Sequence, residues 1–391
     1  MISKRLLLVM PNIVSYRLFH SELGSSLCAA GVDVHVACSS ADLANLRVVV
    51  SGSDSKTEQD RQTIHELDFA RGMNPVAHIR AARRLGALVA RLKPDVVHAH
   101  FDAAIFTTAM ARTRQWPATI ATFHGMSFPS LTGWRRMLVR RATAWAARRY
   151  DTVLVLNSEN RDLLQAAVPR ADVRLFGRAG VGCDIERFKP PAKSERDAAR
   201  AKLGFAPNQC VFAYIGRLVE SKGFALAVRA FLQFANDAPD VRLLIVGERD
   251  ALHPTGLTSA EEAALKSSPQ VVVAGRRDDV ERFLVASDVT VLPSFREGMP
   301  VGLMEALATG VPVLTRDVCG CRDVVRHDLD GIVLRDCTVK SIADAMKRLA
   351  DSPELRRRLS ERAIADRERF DRIHFIREQR AFYEDCVARQ P

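Results

Sequence analysis

The sequence predicts an α/β protein built from two Rossmann-like, doubly wound domains. Three observations predict it. The chain has 391 residues, too many for one ordinary core, so two domains are expected. Short apolar runs alternate with helical stretches through both halves, the pattern of a parallel sheet covered on both faces. The alternation breaks at the polar, proline-bearing segment Phe188-Lys-Pro-Pro-Ala-Lys-Ser-Glu195 and then restarts, which reads as an interdomain linker.

In the first half the strand-like runs are 6–10, 32–37, 95–100, 118–123 and 152–157. Lys4-Arg5 and the apolar run after them look like the opening of a signal peptide. The run is short, however, and Pro11-Asn12 follows without a small-residue cleavage site, so a first buried strand is expected. A helix over 21–30 ends at Gly31. Another over 75–92 carries Val76, Ile79, Leu85, Leu88 and Leu92 near helical spacing. The polar stretch 51–62 reads as a loop. In the second half the strands are 210–215, 241–246, 271–274, 289–292, 311–314 and 332–334, and the stretch from Pro353 is charged and helical. The expected division is 1–190, 191–365 and a terminal helical segment, 366–391.

Composition narrows the class. With 47% hydrophobic and 26% charged residues the chain reads as globular, and no run approaches the length of a membrane-spanning helix. The eight cysteines are scattered, without a Cys-x2-Cys pair, and Cys319-Gly-Cys321 has no second half for zinc. Reduced thiols in a cytoplasmic protein are the expectation. The net charge of +11 is lopsided: +10 falls in residues 1–190, +7 of it in 101–150, and +1 in the rest. A basic half calls for a polyanionic partner, nucleic acid or an anionic membrane face. The segment 134–150 concentrates it. On a helix Trp134, Leu138 and Trp145 fall along one stripe flanked by Arg141, Arg148 and Arg149. Two readings stand, a helix in a membrane interface or a helix docked on its own sheet. No nucleic-acid motif accompanies the cluster, so no nucleic acid is expected.

The most informative stretch is Pro293-Ser-Phe-Arg-Glu297-Gly-Met-Pro300-Val-Gly-Leu-Met-Glu305-Ala-Leu-Ala-Thr-Gly-Val-Pro-Val313. A strand runs into a loop, and a helix over about 301–308 follows. A helix start after a strand offers unpaired N–H groups and a positive dipole end, which suit an anion. Glu297 and Glu305 would repel phosphate, so they read as acceptors for hydroxyls at either end of a ligand whose phosphates lie between them. A nucleotide sugar is such a ligand. Taken alone, two glutamates eight apart are far more often solvated helix-surface residues.

The whole string resembles the donor-site signature of the family-4 retaining glycosyltransferases, whose fold is GT-B: two Rossmann-like domains facing across a cleft, with a C-terminal helix crossing back to the first. Tyr214-Ile-Gly-Arg217-Leu-Val-Glu-Ser-Lys222-Gly223 is similar to that family's Gly-Arg-Leu-x-x-x-Lys-Gly, whose Arg and Lys neutralise the departing nucleoside diphosphate. His124-Gly125, at the end of a first-half strand, matches a histidine that lies by the transferred sugar. Gly180-Val-Gly182-Cys183-Asp184-Ile-Glu-Arg-Phe188 resembles the motif closing the first domain, and Gly320-Cys-Arg-Asp-Val-Val and Asp330-Gly331 match later turns. Two departures stand out. Pro11-Asn12-Ile-Val-Ser15-Tyr16-Arg17 replaces a frequent Gly-Gly loop and looks like the pattern of polysaccharide- and lipopolysaccharide-assembly members. Gly247-Glu-Arg-Asp250 replaces a frequent Gly-Asp-Gly-Pro.

The resemblance implies the following roles. Glu297, His124, Arg217 and Lys222 carry catalysis. Arg217, Lys222, Glu297, Gly298, Met299, Pro300 and Glu305 bind the donor, and Asn12, Ser15 and Arg17 lie on the acceptor side. The donor is expected to be a UDP-sugar, and the acceptor a lipid-linked or growing saccharide, polyprenyl-diphosphate-linked, at the cytoplasmic face of the membrane. No cofactor and no metal are expected, since Asp328-Leu-Asp330 is accounted for as turn chemistry. Two rivals stand beside this reading. A sugar-nucleotide epimerase of the same fold would turn over the nucleotide sugar without an acceptor. A two-domain binding protein would hold its ligand unchanged.

Overall fold

A computed structural model describes residues 4–39, 62–69, 75–177, 180–250 and 253–388. The expected loop over 51–62 lies, apart from Gln62, outside them. The chain divides into two compact units, Met1–Val181 with Ile373–Pro391, and Gly182–Arg372.

The first unit holds seven strands: β1 (Arg5–Asn12), β2 (Asp33–Ser39), β3 (Thr63–Glu66), β4 (Val96–His100), β5 (Ala118–Phe123), β6 (Thr152–Val155) and β7 (Val173–Leu175). They lie in the order β3-β2-β1-β4-β5-β6-β7, every pairing parallel. The second holds β8 (Cys210–Ile215), β9 (Val241–Val246), β10 (Val271–Gly275), β11 (Val289–Leu292), β12 (Val313–Arg316) and β13 (Gly331–Leu334), in the order β10-β9-β8-β11-β12-β13, again all parallel. Helices connect the strands and cover the sheets. Central strands are therefore buried on both faces and read as unbroken apolar runs rather than alternating ones. Leu6 to Met10 of β1 and Leu243 to Val246 of β9 are all buried.

The division falls at Val181/Gly182 and Arg372/Ile373, not at 190/191 and 365/366. Residues 182–188, ahead of and at the start of the segment read as a linker, lie in the second unit, and their contacts say why. Cys183 exchanges backbone hydrogen bonds with Phe370 and Arg372 (2.8 and 3.0 Å). Arg187 binds Glu281 at 2.7 Å, and Phe188 is buried. The last helix, Arg372–Ala388, packs within the first unit. Its Tyr383 is buried with its hydroxyl 2.7 Å from His98 Nδ1.

The basic helix forms over Gly133–Ala147. Thr143, Ala144, Ala146 and Ala147 are buried, while Trp134 is 67% exposed and Leu138 and Trp145 are 43% and 42% exposed. The helix thus docks through its small residues and turns the Trp134–Leu138–Trp145 stripe to solvent. Arg135 and Arg149 lie over the two indoles, 5.6 and 5.5 Å from the ring centroids. Among the described residues no helix is long and apolar enough to cross a membrane.

Candidate active site

In a doubly wound sheet, ligands bind beyond the carboxyl ends of the strands where the order reverses. In the second unit that point lies between β8 and β11, and the two strongest sequence motifs leave from it. Arg217 and Lys222 follow β8, and Glu297 follows β11. Backbone and hydroxyl bonds tie the two loops together: Phe295 N–H and the Ser294 hydroxyl both donate to the Ser221 carbonyl (3.0 and 3.2 Å). Gly223 permits the approach. Its φ is +71°, and a Cβ there would stand 2.1 Å from the Pro293 carbonyl oxygen, so only glycine fits. Gly320 does the same on the other side, with φ +82° and a Cβ position 2.5 Å from the Gly298 carbonyl oxygen.

The result is an ion pair. Lys222 Nζ lies 2.6 and 2.7 Å from the two carboxylate oxygens of Glu297, which is 8% exposed. Arg217, largely exposed, donates from Nη1 to Asp250 at 2.8 Å. The loop Gly247-Glu-Arg-Asp250, which departs from the frequent motif, thus supplies a partner for Arg217 in Asp250, a residue the sequence did not single out. Pro300 caps the helix Val301–Ala308. Glu305, half-buried on that helix, bonds through its carboxylate to no described residue. Burial raises its pKa to about 7, Arg187 and Arg372 hold it back and Glu281 adds to the rise. Asp330 of the Asp-x-Asp is fully buried. It accepts from Arg326 N–H (2.7 Å), Arg326 Nε and Arg369 Nη2 (both 2.8 Å), which is a structural use of its oxygens.

In the first unit the reversal lies between β1 and β4. After β1, Asn12 caps the helix Ile13–Phe19 by accepting from Ser15 N–H at 2.8 Å, and Arg17 is exposed. His100 ends β4 and His124 follows β5. His100 Nδ1 and His124 Nε2 are 3.1 Å apart. The His20 ring stands edge-on to both, with centroids 4.2 and 5.6 Å away. One nitrogen from each of the three falls within 4.8 Å of the others, a grouping of the kind that can hold a transition-metal ion. His98, two residues before His100 and on the same face of β4, is fully buried. Burial drives the pKa of His98 and His100 well below the usual range and that of His124 to about 3, so these rings are neutral at physiological pH. Phe101 holds a left-handed φ of +65°, costly for an aromatic residue, and stacks on His124 at 4.1 Å and 14°. The motif search found His124 and missed His20, His98 and His100. The readable signal was His98-Ala-His100, two histidines on one face of an otherwise apolar strand.

A cavity of about 1170 Å³ opens at the opposite, amino-terminal ends of the strands, beside Ala118, Thr152 and Asp172, away from these residues.

Comparison with known proteins places these features. Residues 195–366 match the family "Glycosyl transferases group 1", and residues 19–179 match "Glycosyl transferase 4-like domain". The chain is 28% identical over 295 residues, 73% of its length and 74% of the relative's, to a UDP-Gal:alpha-D-GlcNAc-diphosphoundecaprenol alpha-1,3-galactosyltransferase of Escherichia coli. It is 23% identical over 321 residues, 80% of its length and 82% of the relative's, to the capsular polysaccharide biosynthesis glycosyltransferase CapM of Staphylococcus aureus. Among solved structures, Anabaena Alr3699/HepE in complex with UDP superposes with a TM-score of 0.76 at 18% identity, covering 98% of this chain and all of that one. WaaG, a glycosyltransferase involved in lipopolysaccharide biosynthesis, gives 0.74 at 14% identity, covering 97% and 98%. These likenesses give the fold as GT-B. The chain belongs to the family-4 glycosyltransferases and is a sugar-transferring enzyme.

Proposed function

We propose that the chain transfers a sugar, with retention, from a UDP-sugar to a polyprenyl-diphosphate-linked saccharide during assembly of a cell-surface polysaccharide. The observation that carries this is the Lys222–Glu297 pair, set where β8 and β11 diverge. An ammonium has three donors. At rest they are turned toward the Glu297 oxygens; on donor binding they would swing to a phosphate while sugar hydroxyls take their place on the carboxylate. Arg217 and the helix start behind Gly298, Met299 and Pro300 would meet the developing diphosphate charge, which is electrostatic catalysis. Glu305 would hold the ribose. His124, just past the end of β5 in the first unit, would orient the sugar. As the sugar–phosphate bond breaks, the leaving oxygen takes the acceptor hydroxyl's proton while that hydroxyl bonds to the anomeric carbon on the same face. Asn12, Ser15 and Arg17 are assigned to the acceptor side on position alone.

The named activity of the E. coli relative, a UDP-sugar donor and a diphosphoundecaprenol acceptor, supports the substrate class. The outward Trp134–Leu138–Trp145 stripe, edged by arginines, supports peripheral contact with an anionic membrane on the cytoplasmic face. The test is nucleoside diphosphate release from UDP-, GDP- and ADP-sugars in EDTA, with and without polyprenyl-diphosphate GlcNAc in anionic vesicles. Acceptor-stimulated release from one UDP-sugar, lost in Glu297→Ala, supports the reading. Isomerisation of a nucleotide sugar without acceptor sinks it.

A further inference from the structure

We propose that His100 fixes the tautomer of His124, so that His124 offers its Nδ1–H, and not its Nε2–H, to the transferred sugar. The inference rests on the sugar-orienting reading of His124.

A neutral imidazole carries one N–H and one lone pair. The contact between His100 Nδ1 and His124 Nε2 at 3.1 Å therefore has two arrangements. In the first, His100 donates from Nδ1, His124 accepts on Nε2, and the His124 proton sits on Nδ1. In the second, His124 donates from Nε2, and the His100 proton is forced onto its own Nε2. That nitrogen decides between them. His100 is 1% exposed and its Nε2 has no hydrogen-bond partner among the described residues. The second arrangement would bury an N–H with nothing to accept it, and orphaned buried N–H groups are rare and costly. The first leaves only a bare lone pair there. An extra proton on either ring fares no better, since with the contact kept it too puts an unanswered N–H on His100 Nε2.

His98 cannot reverse the choice. His98 spends both nitrogens on hydroxyls, Nδ1 at 2.7 Å from Tyr383 and Nε2 at 2.7 Å from Thr122. Phe101, stacked on His124 at 4.1 Å, keeps the ring plane. His124 Nδ1 bonds to no described residue, so its proton is left for a ligand. A donor fixed there obliges a sugar hydroxyl to accept, which orients that hydroxyl's own proton. His100 is in this sense a positioning residue.

The experiment is long-range proton–nitrogen correlation on protein labelled with nitrogen-15 histidine, with the His124 signals assigned by their loss in His124→Ala. The expected wild-type spectrum shows His124 protonated on Nδ1. His100→Leu should shift it to the Nε2–H form and lower kcat/KM by about tenfold, the loss of one aligned hydrogen bond. His100→Asn, whose amide stands near the old Nδ1, should restore both to within about twofold. An Nε2–H on wild-type His124, or lost activity in His100→Leu with the tautomer unmoved, overturns the proposal. If His100→Leu does not fold, the wild-type spectrum alone decides. If His124→Ala keeps full activity, the sugar-orienting reading fails, and the spectrum still reports the tautomer.

Discussion

The burial of Glu305 costs the chain stability, and the sign can be worked out. The carboxyl rises from an ordinary 4.5 to about 7, chiefly through burial. Above about pH 4.5 the unfolded chain ionises this group while the folded chain keeps it protonated, so the unfolded state gains. The folded state therefore loses stability as pH rises from about 4.5 to about 7, and the loss is constant beyond. A displacement of that size is worth about 3 kcal/mol, nearer about 2 because the residue keeps some solvent contact. Glu305→Gln removes the ionisation and keeps the shape. In urea unfolding its advantage over the wild type should be under about 1 kcal/mol at pH 5 and grow to about 2–3 kcal/mol at pH 8. A gap that stays the same across that range, or shrinks as pH rises, would refute the reasoning. Donor binding reverses the trade. If the ionised carboxylate accepts ribose hydroxyls, UDP should release up to one proton near pH 6–7, read by calorimetry in buffers of different ionisation heat, and Glu305→Gln should bind UDP more weakly with no release.

Lys222→Met leaves Glu297 charged, nearly buried and without its cation. It should cost about 2–3 kcal/mol of stability by urea unfolding and about a hundredfold or more in kcat, whereas pairing it with Glu297→Gln should restore stability and not activity. Asp250→Asn frees Arg217 from its carboxylate, so UDP affinity should rise severalfold at low salt and the gain should fade in high salt, because the pair is solvent-exposed. Gly223→Ala sets a methyl 2.1 Å from the Pro293 carbonyl oxygen at φ +71° and should destabilise the fold by more than about 1 kcal/mol, with a disproportionate loss of kcat as Lys222 moves. Trp134→Ala with Trp145→Ala should abolish co-sedimentation with anionic vesicles while leaving the thermal midpoint nearly unchanged, since both indoles are outside the core.

What the sequence revealed and what it hid follow from burial. β8, β9 and β11 begin and end at the expected residues, because a strand covered on both faces must be apolar throughout. The edge strands β3 and β7 were not expected. Thr63-Ile-His-Glu is mostly exposed and Val173-Arg-Leu is only three residues long, so neither carries a run to read. Glu297, Lys222 and Arg217 were legible because each follows a strand with glycine at the turn. Which of them touch was not legible. Lys222 meets Glu297 because Gly223 lets the β8 loop reach Pro293, a contact between residues 75 positions apart. Asp250 was hidden because its loop departs from the expected motif, and its role appears only with Arg217 beside it. The division between the units falls a few residues ahead of the Phe188–Glu195 segment, because residues 182–188 are docked by Cys183, Arg187 and Phe188 and no proline or polar run marks such docking.

These pairings bear on which ligand the second unit can accept. Lys222 is bound to Glu297 and Arg217 to Asp250, so each cation offered to a diphosphate already has a carboxylate. A bare anion drawing Lys222 away would leave Glu297, at 8% exposure, as a nearly buried charge with no donor, at a cost of about 3 kcal/mol. A ligand that brings hydroxyls along with its phosphates supplies the missing donors to Glu297 in the same step. A neutral sugar has the opposite defect, since it satisfies the carboxylate and gives the freed ammonium nothing. The pair is therefore broken at least cost by a molecule carrying phosphate and hydroxyl side by side, which is the joint between diphosphate and sugar in a sugar nucleotide. On the proposed donor role, the resting site would therefore favour such a joint over free phosphate or free sugar before any contact specific to one sugar is made.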